Sequence, residues 1–178
     1  MLKRQIPWFE RTFPTGVDPR LAAEVVARVA GAPARFRDLA SGLTDEQLRM
    51  RPAEGWSIQE NIAHIADLDR ILLIPRVKEF IAGATTLLAA DVTNRTSNEA
   101  DHNQREIADV LNDVQRSRAE MVELLDACPL DFFARTARHE RLGVEMSLTD
   151  LCAFTAEHDD SHAARIRELR ATMFSTGN

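Results

Sequence analysis

Along most of this chain apolar residues return at steps of three and four, the spacing that lines one face of an α-helix. Strand-type alternation does not persist over a useful length. Four long helical segments are predicted. The first runs from about Pro19 to Ala40, opened by a capping Asp18 with proline at the first helical position, and Leu21, Val25, Val29, Ala32, Phe36 and Leu39 recur at three- and four-residue steps. Gly31 and Pro33 are expected to kink or break it. A short helical turn follows, opened by Thr44 with Gln47 three residues later. The second long segment runs from about Ile58 to Ile81. Ser57 and Glu60 form its capping box, Ile58, Ile62, Ile65, Leu68 and Leu72 its stripe, and Pro75 should kink it. The third, about Gln104 to Ala127, carries Ile107, Val110, Val114, Met121 and Leu125. The fourth, about Leu148 to Thr172, starts at a Ser147–Asp150 capping pair, with Met146 placed to pack on Leu151.

Four amphipathic helices of this length bury their stripes against one another as an all-α four-helix bundle. The link between the second and third helices, "GATTLLAADVTNRTSNEADHN", is too long for a tight hairpin. Either it is a long crossover that lets these helices run parallel, up-down-down-up, or it meanders across one end of an up-down bundle. Residues 128–146 form a second irregular connection, and both are placed to shape a pocket mouth. With 178 residues and no repeat, a single domain is expected over 1–178, its core at about 18–172.

Composition then narrows the function classes. A net charge of −6 argues against a general binder of nucleic acid or anionic membrane, either of which needs a basic face. No apolar run is long enough to span a bilayer. The stretch "MLKRQIPWFERTF" has a basic flank without the apolar core of a signal peptide, so a cytoplasmic location is expected. Cys128 and Cys152 have no CxxC spacing and are expected as reduced, partly buried thiols.

The candidate chemistry lies in "EHDDSHAAR". Five histidines occur in the chain, and His158 and His162 stand four apart on the inward seam of the fourth helix. That spacing stacks two imidazoles one turn apart, able to converge on one metal ion. A buried imidazole without a partner is costly, which favours some such role over chance. His64, on the flank of the second helix's stripe, is the candidate third ligand. Three neutral imidazoles plus water would make an open metal site. His102 and His139, in the two connections, are expected as solvated loop residues, with lining a pocket as the alternative for either. Among the acids Asp67, Asp69, Glu157, Asp159 and Asp160, most should form a solvated face. Asp67, three residues after His64, is the exception: it is placed to orient an imidazole or to act as a base. A carboxylate-bridged two-metal site is disfavoured, since it needs a Glu-x-x-His repeat on two helices.

Two segments resemble motifs of a known family. "RPAEGWSIQENIAHIADLDR" is similar to the Trp-Ser helix start and first ligand histidine, here His64, of the DinB-like (YfiT-like) superfamily. "EHDDSHAARI" is similar to its second motif, two ligand histidines near the end of the last helix, here His158 and His162. The resemblance spans roughly residues 18 to 172. It implies an up-down-down-up bundle, commonly a homodimer, holding one divalent ion, often nickel or zinc, on three histidines. It also implies chemistry of the kind seen in thiol-dependent relatives, a mycothiol-dependent maleylpyruvate isomerase and a bacillithiol S-transferase. Two positions depart from the pattern. Ser161 stands where a further histidine is common, and Arg165 where glutamine is. The ligands survive both changes; the substrate does not carry over. Arg165 either binds an anionic substrate group or pairs with Glu168 or Asp159 at the surface.

Three readings follow. The first is a metal-dependent enzyme acting on a small molecule, by S-transfer or isomerisation with a low-molecular-weight thiol cosubstrate, or by hydrolysis. The second is a non-catalytic metal or small-ligand binding bundle. The third is a structural protein with hydrogen-bonded histidines. Trp8, Phe9, Phe13 and the "TTLLAA" stretch are the apolar candidates for a dimer contact.

Overall fold

Side-chain caps set where the helices begin. In the computed structural model, which describes residues 6–13 and 15–175, Ser57 Oγ accepts from Glu60 N while a Glu60 carboxylate oxygen accepts from Ser57 N. Thr44 and Gln47 form the same reciprocal pair, as do Ser147 and Asp150. The basic flank at Lys3 and Arg4 lies outside the described residues.

The first bundle helix is broken at Gly31 into α1 (Ala22–Ala30) and α2 (Ala32–Ala40), as the glycine and Pro33 lead one to expect. A short α3 (Asp45–Arg49) precedes the second bundle helix. That helix is α4 (Ile58–Leu68), one π-helical turn at Asp69–Leu73, and α5 (Ile74–Ala82). The expected kink at Pro75 is thus taken up one turn earlier, where the wider turn frees the carbonyl that a proline cannot pair. The crossover contains α6 (Arg95–Glu99) and a 3-10 turn at His102–Gln104. The third bundle helix, α7, spans Ile107–Asp126, and the fourth, α8, spans Leu148–Ser175.

The helix directions follow from cross-helix contacts. Gln59, at the start of α4, donates to the carbonyls of His102 and Arg105 just ahead of α7, and Lys78 on α5 pairs with Glu120 near the end of α7. The second and third helices therefore run parallel. Arg28 pairs with Asp160, and further on Arg170 donates to the Leu39 carbonyl, so the first and fourth are parallel too. His162 meets Asn61 while His158, one turn earlier, packs on His64, so α8 runs against α4. This is the up-down-down-up arrangement with its long crossover.

Residues 128–146 are more ordered than the helical pattern implies. β1 (Thr136–His139) pairs antiparallel with β2 (Val144–Ser147), and the crossover joins them where Arg138 N donates to Thr85 O and Leu87 N to Arg138 O. The strands are four residues long, too short for alternation to stand out, although Ala137 and His139 do point inward while Thr136 and Arg138 point out.

Apolar side chains fill the bundle as two clusters. One gathers α1, α5, the end of α7 and the start of α8; the other gathers α2, α4, the start of α7 and the end of α8. Between them lies a charged layer. Arg118 Nη2 sits 3.1 Å from Asp69 Oδ1 and 3.0 Å from Asp159 Oδ1, and Ser117 Oγ donates to Asp69. All three charged side chains are fully buried. Asp69 and Asp159 thus depart from the solvated acidic face expected of them. A helical wheel for each segment alone cannot show that the opposing helix supplies an arginine. Burial raises both carboxyls against the pull of Arg118, Asp159 to about 7.

Removing one member of a buried ion pair strands the others. Arg118→Leu is expected to destabilise the fold by about 3–5 kcal/mol in urea unfolding. Lys78→Ala, which breaks the exposed pair with Glu120, should cost less than about 1 kcal/mol. Equal effects would refute the assignment of the charged layer.

Candidate metal centre

His64 comes from α4, and His158 and His162 from α8. Antiparallel packing of these helices brings all three together. Their ring centroids lie 4.5 Å (His158–His162), 5.0 Å (His64–His162) and 5.3 Å (His64–His158) apart. One ring nitrogen from each lies within 4.8 Å of the others. Nε2 of His162 lies 3.2 Å from Nε2 of His158.

Neighbouring side chains decide which nitrogens face inward. Asn61 Nδ2 donates to the carbonyls of Trp56 and Ser57, leaving its Oδ1 to accept from His162 Nδ1–H at 2.9 Å. Ser97 Oγ donates to Asp67 Oδ2 at 2.8 Å and so accepts from His64 Nδ1–H at 2.9 Å. Both imidazoles then keep their protons on Nδ1 and present the Nε2 lone pair to the cluster. Burial holds all three rings neutral: His64 is lowered to about 4, and His158 and His162 well below the ordinary imidazole value.

His158 Nε2 either donates to His162 Nε2 across the 3.2 Å gap or, with its proton on Nδ1, adds a third lone pair to the cluster, the state a cation would select. Nitrogens at about 2.1 Å from a tetrahedral zinc would stand about 3.4 Å from one another. The His158–His162 pair is already near that spacing. The donor set therefore fits a divalent ion of the kind imidazole favours, such as zinc or nickel.

Asp67 is built around the histidines rather than into the cluster. Its Oδ2 also accepts from His102 Nε2 at 2.7 Å, and its Oδ1 accepts from Arg70. Burial alone would raise this carboxyl, but the His102, Ser97 and Arg70 bonds hold it below its ordinary value. His102 is thus a buried partner of Asp67, and the solvated-loop expectation for it is corrected. The crossover folds it back onto α4. His139 is likewise buried, placed by the hairpin against Arg76 at 3.1 Å. Arg165 lies on α8 in a surface depression on the other side of His162 and pairs with Glu168 at 3.2 Å.

The histidines open onto a cavity of about 160 Å³ whose apolar wall includes Trp8, Trp56, Leu68, Leu72 and Phe154. Trp56 packs on His64 at 4.6 Å and lies nearly parallel to His162, while Trp8 meets His158 edge-on at 5.0 Å. Trp8 and Phe13 are half-buried here, against Phe154, and Phe9 remains exposed. The sequence pattern did not single out Asn61, Ser97 or Arg76, and it offered Trp8 as a dimer contact rather than as part of the cavity wall. Only Asn61, one turn before His64, offered a local sign.

Three inward imidazoles at the wall of an apolar cavity, in a bundle with two parallel central helices, define a class of helical-bundle protein with a candidate three-histidine metal centre. The chain belongs to the DinB superfamily, whose family model matches residues 28–166 and so takes in all three histidines. A Geobacillus kaustophilus protein named as a proposed metal-dependent hydrolase is 29% identical over 148 residues, 83% of each chain. Among solved structures, YfiT from Bacillus subtilis, described as a probable metal-dependent hydrolase with an unusual four-helix bundle topology, superposes with a TM-score of 0.78 at 20% identity. That match covers 92% of this chain and 94% of YfiT. A mycothiol-dependent maleylpyruvate isomerase superposes at 0.65 and 15% identity over 80% of this chain, which spans 59% of the isomerase's length. At these identities the two structures show the shared fold.

The buried imidazoles link stability to pH. His64, His139, His158 and His162 are all lowered, so below the ordinary value of 6.5 the unfolded chain binds more protons than the folded one. Asp69 and Asp159 act in the opposite sense but are outnumbered. The metal-free protein should therefore be most stable above about pH 6.5 and lose stability as the pH falls from there towards 4. A lower melting temperature at pH 5 than at pH 7.5, with the slope flattened by His158→Gln plus His162→Gln, is the expected result.

Proposed function

We propose that this protein is a metal-dependent enzyme acting on a small molecule, with one divalent ion, zinc or nickel, on His64, His158 and His162. The observation that carries the reading is the convergence of three neutral imidazoles on a cavity wall. Such an ion supplies Lewis acidity, promoting deprotonation of a thiol or water that reaches it. The residues around it do the rest. Asn61 and the Ser97–Asp67 pair fix the tautomers of His162 and His64 and raise their basicity. Trp8 and Trp56 screen the cluster from water.

Thiol-dependent transfer or isomerisation, with a low-molecular-weight thiol as cosubstrate, is the favoured chemistry. Burial pushes the Cys152 thiol up to about 12 and raises Cys128, so neither is a ready nucleophile and the thiol must arrive as a ligand. Hydrolysis is the second reading, favoured by the descriptions of the Geobacillus protein and YfiT. It needs a base for water, and Asp67, the acid expected in that role, is engaged behind His64 with Ser97, His102 and Arg70. Asp67 acts here as a positioning residue. A homodimer, with Phe9 and Leu88 as exposed apolar candidates, and a cytoplasmic location complete the proposal. Among the described residues no helix is long and apolar enough to cross a membrane.

Elemental analysis of untagged protein should find about one divalent ion per chain, lost in His162→Ala. Ser97→Ala and Asn61→Ala should weaken zinc affinity by about 10- to 100-fold. No metal after reconstitution with zinc and nickel would refute the reading. In the loaded protein, consumption of a small thiol by monobromobimane should be accelerated. Cleavage of p-nitrophenyl acetate without thiol, and no thiol transfer, would instead select hydrolysis.

A further inference from the structure

Among the described residues two arginines are fully buried, and they are treated differently. Arg118 lies between two carboxylates. Arg76, on α5 and 2% exposed, makes no ion pair among the described residues. Its Nε and Nη2 donate to the Leu88 carbonyl at 2.9 and 2.7 Å, and its Nη1 faces His139 Nε2 at 3.1 Å. Glu79, one turn along the helix, accepts instead from Leu88 N, so the crossover is clamped between the two side chains.

Glu79 is close enough for its charge to offset part of the burial cost of Arg76, but among the described residues no carboxylate forms an ion pair with the guanidinium. Leu142 N–H lies 3.3 Å from His139 Nδ1, so both ring nitrogens of His139 face donors. Arg141, exposed at the rim and over the ring of Phe9, adds a second cation to the same cavity. The one carboxylate in the lining, Asp91, is bound to Thr93 and to the Arg95 amide of its own loop. Burial lowers Arg76 only to about 10, so it remains a cation at neutral pH. A desolvated cation without an anion is expensive to hold. Aromatic contacts lead from this basic wall to the histidines: His139 to Phe154 at 5.7 Å, Phe154 to Trp8 at 5.0 Å, Trp8 to His158 at 5.0 Å.

We propose that Arg76, with Arg141 at the rim, forms a carboxylate-binding subsite, and that the small molecule taken by the cavity is an organic acid whose carboxylate lies there while its apolar body crosses Phe154 and Trp8 towards the three histidines. This rests on the cavity being the substrate site proposed above, but its test does not require the metal. Trp8 and Trp56 are the chain's two tryptophans and both line the cavity, so their fluorescence reads its occupancy.

The probes are phenylalkanoic acids from phenylacetate to 5-phenylvalerate, each beside its uncharged amide, titrated into metal-free and zinc-loaded protein. At least one acid should bind about tenfold or more tightly than its amide in both forms. Arg76→Gln should abolish that preference, Arg76→Lys restore part of it, and Arg141→Gln reduce it about threefold. Urea unfolding checks that each variant is folded; should Arg76→Gln not fold, the wild-type acid–amide comparison and Arg141→Gln decide. The subsite is refuted if no acid outbinds its amide. It is refuted equally if the preference appears only with zinc and survives the arginine substitutions, since the carboxylate would then be on the ion. Zinc stoichiometry of the same samples judges the metal centre separately.

Discussion

The guanidinium of Arg118, shared between Asp69 and Asp159, sets the register of three bundle helices at once. Apolar stripes alone leave helices free to slide by a turn at modest cost, because one leucine or valine fits a neighbour's groove much as the next does. A buried ion pair does not permit this: a one-turn slip would leave charge facing an apolar cluster. The register so fixed is also that of the site. Asp159 follows His158 directly, and Asp69 lies on the turn after His64. The charged layer and the histidine cluster are adjacent features of one cross-section, so what aligns the helices also brings the imidazoles together.

Around that cross-section the fold keeps three titratable rings uncharged and aims them. Desolvation removes the protonated forms, and Asn61 and Ser97 select the tautomer of two rings by accepting from Nδ1. Asp67 completes the set by holding Ser97 from behind while His102 and Arg70 hold Asp67. The order of support runs from the surface inward, from Arg70 and His102 through Asp67 to Ser97 and His64, although His102 Nδ1 is left without a partner among the described residues.

The helices, their caps and the three histidines were legible because each is written locally. A capping box spans four positions, an inward stripe repeats within a turn, and His158 and His162 share a face by spacing alone. His64 needed only that α4 face α8. What was not legible came from contacts between distant segments. Ser97 and His102 reach Asp67 from the crossover, and His139 reaches Arg76 through a hairpin with strands of four residues. Asp69 and Asp159 looked like solvent-facing acids because a sequence pattern shows the face of one helix and not the arginine on another. In Arg76 the ambiguity was of the same kind, since an arginine after a proline in a helix is ordinary until its surroundings are known to be apolar.

The cavity's histidines belong to bundle helices, but much of its remaining wall does not. Trp8 and Phe9 precede the first helix, Ala90 to Asn94 belong to the crossover, and His139 and Arg141 to the hairpin. The geometry of the histidines is therefore fixed by packed bundle helices, and the shape and charge of the rest of the cavity by connecting segments. Segments of this kind tolerate insertion and exchange far better than packed helices do. A lineage built on this plan can change the shape and charge of the cavity by rewriting three connections while the three-histidine cluster stays where it is, a division of labour that makes one bundle a reusable chassis.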